Sequence, residues 1–361
     1  MKLENLNLSN FRNYPSLHIN FHKNTNIFIG KNAQGKTSIL ESIYVLAFTK
    51  SHKTHKDADF ILHSTEFAKI NALIHLKDND IDLDIIVSKL GKKAKYNQIE
   101  LDKLSEYIGL LNVVMFAPED LELIKGNPKD RRKFLDLEIG QTSKEYIYNL
   151  QQYRKILKQR NDLLKTMQKT KTTDYLLLDV ITDQLIDYQQ HIVVLREKFL
   201  SIIESFATTH YQKLASTQDI LRITYIPSIK SDFKEEYSSK YQYDIITGTT
   251  NSGIHRDEID FYLNDFPLKT HGSQGEQRTA VLAVKLALID FIYSHKKEYP
   301  VLLLDDVLSE LDTTRQNNLL EYINNNIQTF ITTTNINDID ITKITDYQLF
   351  EIESGHVKEC D

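Results

Sequence analysis

The run Ile27-Phe28-Ile29-Gly30-Lys31-Asn32-Ala33-Gln34-Gly35-Lys36-Thr37 anchors the architecture of this chain. A short apolar segment stops at Gly30, residues 30–37 fill the pattern G-x-x-x-x-G-K-[ST], and Ile39, Leu40, Ile43, Val45 and Leu46 continue as a buried helix. Strand, loop and helix in that order build a phosphate cradle. The glycines permit backbone angles that turn amide N–H groups inward. The helix N-terminus adds partial positive charge. Gly30, Lys31, Asn32, Ala33, Gln34, Gly35, Lys36 and Thr37 are therefore expected to bind ATP. Lys36 would reach the β- and γ-phosphates, and Thr37 would offer its hydroxyl to Mg²⁺. A glycine turn can match the pattern by chance, but the strand before it and the helix after it argue otherwise.

Val301-Leu302-Leu303-Leu304-Asp305-Asp306 reads as a buried strand that carries two acids to its end. Taken alone, it fits a strand closing on two solvated aspartates equally well. Beside a P-loop, Asp305 is the expected Mg²⁺ ligand and Asp306 the carboxylate that orients or activates water. Lys36, Asp305 and Asp306 are the expected catalytic residues. His271-Gly272-Ser273-Gln274-Gly275-Glu276-Gln277-Arg278 opens a helix with a capping box, Ser273 with Glu276. Such a helix start is also an anion site. Ser273 and Gly275 are expected to clamp the γ-phosphate held by a second copy in a head-to-tail pair, with Ser309-Glu310-Leu311-Asp312 at the seam.

Between these motifs the pattern changes. Residues 58–101 alternate apolar and polar, as in meander strands. From about 142 to 168, apolar residues fall at helical spacings, which gives a helix about 40 Å long. From Tyr175, Leu178, Ile181, Leu185, Tyr188, Ile192, Leu195, Phe199, Ile202 and Phe206 step by threes and fours in a heptad-like seam. His191 in that segment is expected to be packed. Strands are expected at Ile220–Ile226, Tyr243–Ile246 and Ile259–Leu263, and a late helix from about Thr313 to Asn325. The expected organisation is an α/β ATPase head interrupted by a helical hairpin. Residues 1–136 form its N-terminal half, 137–214 the inserted lobe and 215–361 its C-terminal half.

The bulk numbers bound the class. The 361 residues are 41% hydrophobic and 26% charged, with a net charge of -6, which suits a globular chain. One cysteine, Cys360, leaves no intrachain disulfide and fits a reducing compartment. No apolar run approaches the ~20 residues that cross a bilayer, and no signal peptide opens the chain, so the cytoplasm is expected and a membrane partner is not.

The P-loop, the acid strand, Ser273–Gln277 and Ser309–Asp312 together resemble the ABC-type ATPases of the SMC-like branch. The finer resemblance is to the RecF family of bacterial recombination mediators. It is carried by Asn10-Phe11-Arg12-Asn13-Tyr14, the P-loop with Gln34, Phe116-Ala117-Pro118-Glu119-Asp120-Leu121, Gly126 to Asp136, and Gly253-Ile254-His255-Arg256-Asp257-Glu258. The resemblance implies an ATP-dependent homodimer that binds single- and double-stranded DNA at gaps. It also implies work with RecR and RecO to load RecA, in replication, gap repair and the SOS response. Ile254 stands where the family has proline, and Ser38 where it often has asparagine. Thr332-Thr333-Thr334 ends the strand that commonly carries a histidine in ABC ATPases. Slow, DNA-stimulated turnover used as a timing switch is the expectation. A transporter subunit would use the same head, without such a hairpin. SMC proteins carry far longer coiled coils, and a non-hydrolysing scaffold would not need Asp306.

Basic clusters suggest where DNA lies. Residues 142–171 hold eight Lys/Arg against Glu145 and Asp162, although the whole chain is acidic. Lys50, Lys53 and Lys56 with His52 and His55 form a second cluster, and Arg131, Arg132 and Lys133 a third. A charge run is often only a solvated face. Three in an acidic chain favour phosphate contacts, with Lys53, Arg131, Lys155, Lys158 and Arg160 the expected DNA-binding residues. His255 and Arg256 look functional without an assigned role.

Overall fold

Strands buried on both faces lose their polar alternation and pair in parallel. Ile27 and Phe28, Val301 to Leu304, Phe330 and Ile331, and Val113 are all completely buried. Their strands form the middle of a six-stranded sheet. Its order is His356–Cys360, Tyr347–Glu353, Thr25–Ile29, Thr329–Thr333, Val301–Asp305 and Val113–Phe116. Every neighbouring pair is parallel except the terminal hairpin of Tyr347–Glu353 with His356–Cys360. The P-loop strand and the acid strand are thus separated by Thr329–Thr333, which sets Thr332 beside Asp305 on one side and Phe28 on the other. Parallel strands end at the same edge, where open α/β sheets gather ligands.

The structure, a computed structural model, describes every residue except 55, 231, 324, 325 and 361. His55 and the expected helix end at Asn325 lie outside the described residues. Two compact units emerge. One comprises Met1–Asp120, Phe206–Gln218 and Arg278–Asp361, and the other Leu121–Ser205 and Asp219–Gln277. These cuts differ from the three-part division expected above. The second unit holds 137–205 of the expected lobe but leaves 206–214 to the first, and it adds 121–136 and 219–277, so Ser273 belongs to it.

The first unit also holds an antiparallel sheet built from Tyr14–Asn20, Asn5–Phe11, Phe67–His75, Asp80–Ser88, Gly91–Tyr96 and Ile99–Glu100. Alternate residues of Phe67–His75 are buried, as expected of strands with one wet face.

The second unit is organised by antiparallel helices. Lys144–Thr170 is followed, across a short turn, by Tyr175–Ala215, whose residues to Ser205 belong here. Arg160 Nε donates to Thr182 Oγ1 at 3.0 Å, and Arg196 Nε to the Tyr146 hydroxyl at 3.0 Å. From 146 to 160 is 14 residues, as from 182 to 196, so both pairs fall in one register, two heptads apart. Leu178, Leu185, Ile192 and Phe199 of the expected seam are buried, but Ile181, Tyr188, Leu195 and Ile202 are only half-buried, their places in the buried stripe taken by Thr182, Gln189, Arg196 and Ile203. His191 is exposed, not packed. The expected strand Tyr243–Ile246 is instead part of the helix Tyr241–Thr247, closed by Gly248 in the left-handed conformation. A short apolar run does not distinguish the two. The helix turns Asp244 inward to Arg160.

Candidate functional site

Two glycines make the cradle possible. A Cβ on Gly30 would lie 2.4 Å from the Ile352 carbonyl oxygen, and Gly35 has φ +116° with the Tyr14 hydroxyl 2.5 Å from where its Cβ would stand. That hydroxyl donates to the Gly35 carbonyl at 3.1 Å. The loop is also fastened from the far end of the chain. The Gln34 carbonyl accepts the Gly355 N–H at 3.1 Å, and its side-chain oxygen accepts the Ser354 N–H at 2.5 Å. The helix Lys36–Phe48 starts directly on Gly35. Lys36 folds inward, donating to the carbonyls of Gly30 at 2.5 Å and Lys31 at 3.0 Å. Burial lowers its pKa, against the pull of Asp306 and Asp305. A cavity of about 430 Å³ opens over Asn32–Ser38, with Arg12, Asn13, Asp59 and Asp306 on its walls. Lined by the P-loop, a lysine and a helix start, it suits a polyphosphate.

Asp305 is the buried pivot. Its Oδ1 accepts the hydroxyls of Thr37 and Thr332, each at 2.9 Å, and Lys53 Nζ lies 3.2 Å from Oδ2. A hydroxyl and a carboxylate oxygen at one point are the few protein ligands that a phosphate-bound Mg²⁺ takes. Thr37 and Asp305 therefore fit Mg²⁺. Asp306 follows at φ +54°, its N–H donating to Thr332 Oγ1 at 3.0 Å, and it lines the phosphate cavity. Thr332 is a site residue that its sequence alone does not reveal: it ties Asp305 and Asp306 to the strand between the P-loop strand and the acid strand.

Beside this pivot, His52 stacks edge-on to Tyr44 at 5.2 Å. Burial and the neighbouring Lys53 push its pKa down to about 4 despite Glu41, Asp305 and Glu119.

In the second unit the capping box forms. Ser273 N–H donates to Glu276 Oε2 at 2.7 Å, and Ser273 Oγ accepts the Glu276 N–H at 3.3 Å. Gln277 Nε2 braces the approach by donating to the carbonyls of Leu268 and Gly272. Ser273 is exposed, and its hydroxyl keeps a proton to donate.

The expected DNA residues part company. Lys155 and Lys158 are exposed on Lys144–Thr170 and, among the described residues, make no ion pair. Arg160 is fully buried, donating to Asp244 at 2.8 Å and Thr250 at 2.7 Å and lying over the rings of Tyr237 and Tyr241. Arg131 is buried in a two-pronged bond to Glu258 at 2.6 and 2.7 Å. Neither guanidinium is available to a phosphate, because each neutralises a carboxylate from a distant part of the chain. Lys53 faces Asp305. His255 Nε2 donates to the Thr250 carbonyl at 3.0 Å, so its Nδ1 accepts the Tyr153 hydroxyl at 2.8 Å. That makes it a fully engaged structural group, whereas Arg256 is exposed.

The family described as RecF/RecN/SMC N terminal domain matches residues 2–352. Proteins named DNA replication and repair protein RecF align over the whole chain: 45% identical in Shouchella clausii, covering 100% of both chains, and 44% in Bacillus cereus, covering 99% of the relative. A solved structure of the recombination mediator protein RecF with ATP, in the RecFOR pathway, superposes with a TM-score of 0.92 at 29% identity, covering 99% of this chain and 97% of that one. An Smc head domain from Pyrococcus furiosus shares the fold at 16% identity and a TM-score of 0.57, covering 99% and 95%.

Proposed function

The chain belongs to the RecF family of SMC-like ABC-type ATPases, and from that premise we propose that it is an ATP-dependent DNA-binding protein of replication and recombinational repair. The observation that carries this reading is the convergence of the P-loop, Thr37 and the Asp305–Asp306 pair at one sheet edge. Lys36 leaves the carbonyls of Gly30 and Lys31 for the β- and γ-phosphates. Thr37 and Asp305 would hold Mg²⁺, which would supply charge neutralisation to the phosphates when bound. Asp306 positions water and accepts its proton.

Ser273 of a second copy donates to the γ-phosphate, so ATP joins two heads and hydrolysis parts them. The strand end Thr332-Thr333-Thr334 carries no histidine, which favours slow turnover. DNA lies along the exposed lysines Lys155 and Lys158, bound through phosphates and without base reading. RecR and RecO are the partners, and RecA loading and SOS induction the outcome, in the cytoplasm. Among the described residues no helix is long and apolar enough to cross a membrane.

ATP binding and turnover, with and without gapped DNA, test the site. Lys36→Arg is expected to lose tight binding, and Asp306→Asn to bind ATP without turning it over. Undiminished turnover in both variants defeats the assignment.

A further inference from the structure

Asp305 already carries a cation. The ammonium of Lys53 occupies Oδ2 at 3.2 Å, while Thr37 and Thr332 share Oδ1. A carboxylate as buried as this one needs a counter-charge to stay ionised. Lys36 is likewise turned inward, onto two main-chain carbonyls. Lys36 and Lys53 thus each hold internal partners.

Lys53 is also wired to the nucleotide cavity. The buried Ser51 donates its hydroxyl to Glu41 and accepts the main-chain N–H groups of Lys53 at 2.8 Å and Thr54 at 3.2 Å. Glu41 stands on the P-loop helix and is gripped by Arg12 through bonds of 2.8 and 2.6 Å. Arg12 in turn lines the cavity. A continuous path of charged and hydroxyl groups, Arg12–Glu41–Ser51–Lys53–Asp305, runs from cavity wall to metal carboxylate. Next to Lys53, both ring nitrogens of His52 are buried and, among the described residues, make no hydrogen bond.

Resting on the nucleotide reading above, we propose that Lys53 is a placeholder cation. It holds Asp305 in position and keeps divalent metal off the carboxylate while the cradle lacks nucleotide. It then gives up Asp305 for a phosphate oxygen when metal-loaded nucleotide binds. Two cations crowd one another at a single carboxylate, and the four-carbon stem of a lysine, about one-third exposed here, allows the exchange. Metal entry becomes conditional on nucleotide, and Arg12 reports the nucleotide to the turn.

The test is Mn²⁺ binding to nucleotide-free protein, read by the loss of the free-ion paramagnetic resonance signal. Lys53→Met is expected to bind Mn²⁺ about tenfold more tightly than the wild type or better, Lys53→Arg to match the wild type, and Asp305→Asn to abolish the gain when combined with Lys53→Met. Melting curves of all variants monitor folding, and Lys53→Gln provides a second neutral side chain. Equal Mn²⁺ affinity in the wild type and both neutral variants overturns the placeholder. ATP binding by the wild type, measured on the same samples, separates the two readings: its absence defeats the nucleotide site, whereas the Mn²⁺ comparison alone decides the role of Lys53.

Discussion

Thr37 and Asp305 stand 268 residues apart in the chain, yet the Thr37 hydroxyl donates to the Asp305 carboxylate at 2.9 Å. Strand order explains the meeting. The P-loop strand and the acid strand flank Thr329–Thr333 in parallel, so the residues at their ends converge from opposite sides of Thr332. Removing either partner should therefore affect metal-dependent binding before it affects the fold.

Thr37→Ala is expected to weaken MgATP binding by about tenfold or more, the scale of one lost charged hydrogen bond or ligand. Binding of metal-free ATP should change far less, because the amides and Lys36 remain. Calorimetric titration with Mg²⁺ and with chelator checks the split. Equal losses under both conditions contradict a metal-ligand role.

Gly30→Ala places a methyl group 2.4 Å from a main-chain oxygen of Ile352, which has no side-chain freedom to yield. A destabilisation of about 1–3 kcal/mol is expected from such overpacking, together with loss of ATP affinity. Urea unfolding reads the first effect and nucleotide titration the second.

Lys155→Glu with Lys158→Glu should leave stability within about 0.5 kcal/mol of the wild type. The double variant should weaken DNA binding and flatten its logarithmic salt dependence by about one unit per lysine. Arg160→Ala has the opposite profile. It strands the buried Asp244, and about 3–5 kcal/mol of stability should be lost. Unchanged DNA affinity in the lysine variant removes that helix from the DNA surface.

His52 makes stability depend on pH. Its folded pKa, about 4, lies below the usual value of 6.5. The unfolded chain therefore binds more protons between these values, and stability rises with pH across that window. On acidification the loss starts near pH 6.5 and is complete near pH 4, amounting to at most about 3 kcal/mol. His52→Gln should flatten stability between pH 6.5 and pH 4, measured by urea unfolding at several pH values. A slope unchanged from the wild type contradicts the buried neutral imidazole.

The features legible in the sequence are those that depend on near neighbours. The P-loop needs its eight residues in order, the acid strand its apolar run, and the hairpin its heptads. Arg160 and Arg131 could not be read, because their fate rests on Asp244 and Glu258, which lie 84 and 127 residues away. A basic run looks the same whether its arginines face solvent or a buried acid. Tyr243–Ile246 failed for a related reason, since only the demand of Arg160 for a partner shows how Asp244 must face. Thr332 stood out only in a strand end without histidine, and Lys53 only in a basic cluster expected to bind DNA. Their importance comes from strand order and from the turn that Ser51 ties to Glu41.

We propose that ATP held between Lys36 and Asp306 is completed by Ser273 of a second copy. Sedimentation velocity of Asp306→Asn, saturated with ATP and Mg²⁺, tests it most directly, because slowed hydrolysis preserves the bound state. The expected result is a dimer with ATP, a monomer without it, and a monomer with ATP when Ser273→Arg is added. A protein that binds ATP fully yet sediments as a monomer in the Asp306→Asn form contradicts the shared site.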